Sequence, residues 1–115
     1  MPPTLADRLH HVLHAIENIE RFLKGKRKEE FVSDQLLRLA VERSLEIISE
    51  ASRRIPADVK ARETQISWQR MADFGNILRH AYHNVDLDTL WQIVKEDLGP
   101  LKAFAERIMR EEEGA

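Results

Sequence analysis

Leu5-Ala6-Asp7-Arg8-Leu9-His10-His11-Val12-Leu13-His14-Ala15-Ile16-Glu17-Asn18-Ile19-Glu20-Arg21-Phe22-Leu23 is the stretch on which the fold turns. Leu5, Leu9, Val12, Leu13, Ile16, Ile19, Phe22 and Leu23 return at intervals of three and four, which makes one apolar stripe over about five helical turns. Thr4, with Asp7 three residues on, reads as the N-cap of this helix. Gly25 ends it, inside the charged turn Lys24-Gly25-Lys26-Arg27-Lys28-Glu29-Glu30.

The same logic extends along the chain. A second helix starting at Ser33 or Asp34 sets Leu37, Val41, Ser44, Ile48, Ala51 and Ile55 on one side, until Pro56 interrupts it. Residues 56–66 read as a short helical turn and a loop. Ser67 caps a third helix expected from Trp68 to about His83, with Asn84 and Asp86 closing it and Asp86 capping the next. That fourth helix buries Leu87, Leu90, Trp91, Val94, Leu98, Leu101, Phe104 and Ile108, and Gly99-Pro100 kinks or splits it. The tail from Arg110 to Ala115 is expected to fray. No strand signal, internal repeat or low-complexity tract emerges. The expected architecture is all-α: an up-and-down bundle of four long helices plus a short connecting helix, making one domain over residues 1–115.

Composition narrows the function classes. With 115 residues, 43% hydrophobic and 33% charged, the chain can bury one modest core, and pairing is a common way for so small a helical protein to bury more. A net charge of −2 gives no overall attraction to nucleic acid or to anionic membrane, so any RNA contact must be local. The absence of cysteine removes disulfides, thiolate catalysis and cysteine-bound metal centres, and fits a cytoplasmic setting. No run of 18 apolar residues occurs, which argues against a membrane span, and the N-terminus runs straight into a charged amphipathic helix rather than a signal peptide.

The chemistry concentrates in Gly75-Asn76-Ile77-Leu78-Arg79-His80-Ala81-Tyr82-His83-Asn84-Val85-Asp86. On a helix, Asp73, Asn76, His80 and His83 fall close together with Arg79 beside His83, while Phe74, Ile77, Leu78 and Ala81 face the other way. Histidine, arginine, amide and phenol on adjacent turns are the parts needed for proton transfer beside a phosphate. Other clusters carry less. His10 and His14 have the i, i+4 spacing of a metal grip, but no Glu-x-x-His motif follows, and surface histidines explain them together with His11. Glu42, Glu46 and Glu50, with Arg43, Arg53 and Arg54 nearby, read as a solvated face. The basic cluster at Lys24–Lys28 is offset by Glu29 and Glu30 and has no interleaved aromatic for base stacking. Trp68 and Trp91 read as core packing.

Several landmarks in order carry a family resemblance. They are Ile16-Glu17-Asn18-Ile19-Glu20-Arg21-Phe22, the helix Ala40–Ala51, Ile66-Ser67-Trp68, then His80-Ala81-Tyr82 followed by Val85-Asp86 and Leu90-Trp91. Over roughly Leu5 to Leu101 the chain resembles the HepT-like branch of the HEPN superfamily, toxin partners of minimal nucleotidyltransferase antitoxins. The resemblance implies an all-α homodimer with two polar helices facing across a cleft, and metal-independent endoribonuclease activity that requires no cofactor. It assigns the signature's polar residue to Asn76, its histidine to His80 and its tyrosine to Tyr82, with Tyr82 also the acceptor of AMP from the antitoxin. The signature's arginine position is Gly75, which can neither hold a phosphate nor offset charge, and Arg79 is the nearest substitute in sequence.

Within that scheme His80 takes the proton of an RNA 2′-hydroxyl or gives one to the leaving 5′-oxygen, Arg79 and Asn76 hold phosphate oxygens, and His83 supplies the second proton-transfer group. DNA, lacking the 2′-hydroxyl, is expected to resist. Two other readings stand beside it. One is a non-catalytic HEPN protein that binds a nucleotide or the nucleotidyltransferase, cleavage having gone with the arginine. The other is a helical interaction module whose polar face has no chemistry.

Overall fold

The computed structural model describes residues 2–80 and 86–114, with the side chains of Arg79 and His80 left aside. Among the described residues the chain is all-helical, with seven helices and no strand. They are α1 (Leu5–Leu23), α2 (Lys28–Ser33), α3 (Gln35–Arg53), α4 (Ala57–Ala61), α5 (Trp68–His80), α6 (Leu87–Glu96) and α7 (Leu98–Gly114).

Helix α1 begins as its sequence dictates. The Thr4 hydroxyl accepts from the Asp7 amide at 3.1 Å while the Asp7 carboxylate accepts from the Thr4 amide at 2.8 Å, so two otherwise orphaned donors are satisfied reciprocally. The Thr4 amide, and next its side chain, hold the Asp7 carboxyl below the usual carboxylate range. At the other end Gly25 takes φ +73°, the left-handed conformation that stops a helix without steric cost, and the Lys26 amide closes the turn on the Leu23 carbonyl at 2.8 Å.

The charged turn that follows contains one more helix than its sequence suggested. Lys28-Glu29-Glu30-Phe31-Val32-Ser33 folds as α2 because Phe31 is fully buried and anchors it. Acidic neighbours take up the basic cluster: Lys28 pairs with Asp88 at 2.6 Å, and Lys26 and Arg27 both approach Glu30. Asp34 caps α3 by accepting from the Leu37 amide at 3.1 Å.

The expected fourth helix is split, as Gly99-Pro100 allowed, but the break falls earlier, at Asp97. Pro100 then lies in the first turn of α7, where its missing N–H has no intrahelical acceptor to lose. Helix α7 continues through Arg110 to Gly114, carried by the helix-favouring run Glu111-Glu112-Glu113.

The core sits where the apolar stripes meet. Helix α1 packs against α3 and α7, α3 also packs against α5, and α6 rests on α7. Leu9, Val12, Ile16 and Ile19 of α1, Val41, Leu45 and Ile48 of α3, Leu90 and Ile93 of α6, and Leu101 and Phe104 of α7 are all buried. Trp68 packs edge-on against Phe104, with centroids 5.2 Å apart, and Trp91 lies 5.5 Å from Phe31, so both tryptophans serve the core boundary. Among the described residues no helix is long and apolar enough to cross a membrane.

Candidate active site

Helix α5 carries the polar face. Ser67 starts it, its hydroxyl accepting from the Arg70 amide at 3.2 Å. Met71, Phe74 and Gly75 are buried and Leu78 packs half-buried against the core, so the inward stripe runs 71, 74, 75, 78. Ile77 was expected on that inward side and is instead 48% exposed. The cause is Gly75, which takes the place on the stripe that turns Ile77 outward, beside Asp73 and Asn76.

Two polar groups of α3 fasten α5 at this crossing. The buried Ser49 hydroxyl donates to the Met71 carbonyl at 2.9 Å. One turn further along α3, the Arg53 guanidinium donates through Nη2 to the Ala72 carbonyl at 3.0 Å and to Asn76 Oδ1 at 2.8 Å. Ser49, Ser52 and Gly75 are all buried, and small residues on both helices suit a close approach. Gly75 is thus part of the fold at this point: its position is buried within the stripe that meets α3.

Of the residues singled out in sequence, Asp73 and Asn76 are exposed on one side of α5, as expected. Asp73 accepts from Gln69 at 2.8 Å, and Asn76 is engaged by Arg53. His80 ends α5 one turn beyond Asn76, about 6 Å along the axis. Tyr82, His83 and Ala81 lie outside the described residues. Asp86, expected as a cap, accepts from the Asp88 and Thr89 amides at 3.0 and 3.3 Å and from the Thr89 hydroxyl at 2.8 Å. These bonds, the Thr89 hydroxyl foremost, keep its carboxyl below the usual carboxylate range.

Arg53 is the contact that sequence reasoning missed. The sequence groups it with Glu42, Glu46 and Glu50 on what reads as a solvated face. Glu50 is exposed and pairs with Arg54 at 3.0 Å, and Arg43 pairs with Glu46 at 3.6 Å, but Glu42 and Glu46 are half-buried rather than solvated, and burial raises the Glu42 carboxyl above the usual carboxylate range. Arg53 turns the other way, toward α5. The spacing Ser49 to Arg53, one helical turn, held the available signal, since it puts two donors on one edge of α3. His10, His11 and His14 are exposed along α1, and no group of three or more metal-ligating side chains occurs among the described residues.

A sequence profile of the family Ribonuclease HepT-like matches residues 12–108, most of the chain. The chain belongs to the HepT-like ribonuclease family. It is 42% identical to a protein of Thermococcus cleftensis named probable ribonuclease HepT, over 90% of this chain and 94% of the relative. It is also 38% identical to a candidate RNase of Methanocaldococcus jannaschii, over 85% of this chain and 90% of that one. A longer protein of the same organism, named as a gamma-glutamylcyclotransferase and candidate RNase, is 37% identical over 90% of this chain and 46% of its own length. No solved structure matches.

Proposed function

We propose that this HepT-like chain is a metal-independent endoribonuclease, the toxin of a toxin–antitoxin pair, working in the cytoplasm as a homodimer with its cleft between two copies of α5. The observation that carries the reading is the exposed Asn76 on α5, held by a guanidinium, with His80 one turn further on. In the proposed reaction the 2′-oxygen of RNA forms a bond to the adjacent phosphorus as the P–O5′ bond breaks. His80 accepts the 2′-hydroxyl proton and His83 returns one to the departing 5′-oxygen, leaving a 2′,3′-cyclic phosphate and a free 5′-hydroxyl. Asn76 and Arg79 hold phosphate oxygens in this scheme.

Tyr82 is the proposed acceptor of AMP from a partner nucleotidyltransferase. Phosphodiester charge and adenosine bulk beside His80 then keep RNA out. Incubating wild-type protein and His80→Ala with total RNA in excess EDTA tests the catalytic half. Fragments from wild type alone support it; none from either, with intact mass showing unmodified protein, overturns it. Incubation with ATP and the partner enzyme, with Tyr82→Phe as control, tests the modification.

A second reading has its own observation. Gly75 is buried against the core rather than open to the cleft, so the signature's arginine has no direct replacement at that position. A HEPN protein that binds nucleotide or the nucleotidyltransferase without cutting RNA fits that loss. Gain of RNA cleavage in Gly75→Arg would favour this reading for the natural protein, whereas cleavage by the natural protein would discard it.

A further inference from the structure

The geometry points to Arg53 of α3 as a further cation that holds the scissile phosphate beside Asn76. This rests on the ribonuclease reading of the same site. Phosphodiester cleavage by a neighbouring hydroxyl passes through a phosphorane with more negative charge on its oxygens than the starting diester, so a fixed cation beside the phosphate lowers the barrier. Helix α5 itself carries two arginines, Arg79 near its end and Arg70, and Arg70 is spent on Asp97 at 3.2 Å.

Arg53 arrives from the neighbouring helix. A single nitrogen, Nη2, makes both its contacts, to the Ala72 carbonyl and to Asn76 Oδ1. These two acceptors fix the plane of the guanidinium. Among the described residues Nε and Nη1 take no partner, so Nη2 is clamped while another nitrogen of the same group can still donate to a phosphate oxygen, a division that the single nitrogen of lysine does not allow. The residue is exposed, so a ligand can reach it. Arg53 lines a groove with Ser67, Trp68 and a second cation, Lys60, which a polyanion could also contact. The carboxylate in that groove, Glu63, is held by Arg107 and Gln65. Asn76 in turn gains a definite role, orienting the guanidinium through its oxygen.

The test is turnover of a short single-stranded RNA in EDTA by full-length wild type, His80→Ala, Arg53→Ala and Arg53→Lys, with thermal melting of each. The expected result is a fall in kcat of about a hundredfold or more for Arg53→Ala at nearly unchanged melting temperature, following the loss typical of one transition-state donor. Arg53→Lys is expected to recover only part of it, and added guanidinium to raise the Arg53→Ala rate but not the His80→Ala rate. A purely structural arginine would not give that selective rescue. Wild-type turnover with Arg53→Ala at the same rate overturns the assignment and leaves the ribonuclease intact. An Arg53→Ala defect matched by lost melting temperature and untouched by guanidinium overturns it too. No turnover by unmodified wild type removes both the reading and this role.

Discussion

Helix α3 has two seams that differ in kind. Toward α1 and the core it buries aliphatic side chains, Val41, Leu45 and Ile48, each at most 1% exposed. Toward α5 it reaches across with a hydroxyl and a guanidinium that end on main-chain carbonyls and an amide. The first seam draws its energy from water expelled; the second sets angles and distances by hydrogen bonds. One helix therefore holds the fold with one edge and the candidate site with the other.

That contrast breaks most visibly at Ile48. Ile48→Ala removes buried methyl groups from a packed core, and an equilibrium urea titration should show a loss of about 2–5 kcal/mol. Ser49→Ala, one residue along, leaves the Met71 carbonyl without its side-chain donor and should cost about 1 kcal/mol in the same titration. Its effect on RNA turnover should exceed what so small a stability change explains, because it loosens the crossing that presents Asn76. Arg53→Ala, at an exposed position, should change stability by only about 0.5 kcal/mol or less while producing the largest catalytic loss of the three.

The smallest expected effect lies in pH. Asp86 has its folded pKa lowered from 3.8, so its capping contribution is fully present above that value and is lost as pH falls below 3.8 and through the lowered pKa. Asp86→Asn keeps an oxygen for the cap but does not titrate. Melting temperatures at pH 6 and pH 3 should therefore differ less for this variant than for wild type. An equal difference would mean that α6 does not depend on the charge of its cap.

Much of this architecture was legible in sequence because its signals are local. The Thr4–Asp7 box, Asp34, Ser67 and Asp86 all sit within three residues of the amides they cap. The stripes of α1 and α3 repeat over enough turns for a few polar positions not to blur them. Helix α2 escaped because six residues are too few to show a period, and Phe31 alone does the anchoring. Ile77 was misplaced because a glycine contributes nothing to a hydrophobic stripe, yet Gly75 occupies the core-facing position. Arg53 was hidden for a different reason: its partner stands 23 residues away, and nothing local distinguishes it from Arg54, which pairs with Glu50.

The two tryptophans give the molecule a pair of built-in optical gauges. Trp68 donates its indole N–H to the Lys60 carbonyl at 3.1 Å and lines the same groove as Arg53. Trp91 contacts Phe31 and also the Lys95 ammonium, which sits 4.7 Å from its ring. Emission from Trp68 is placed to register an anion entering the groove, and emission from Trp91 to register α6 parting from α2. With each replaced by phenylalanine in turn, occupancy and unfolding become separate colours of light from the same unlabelled chain.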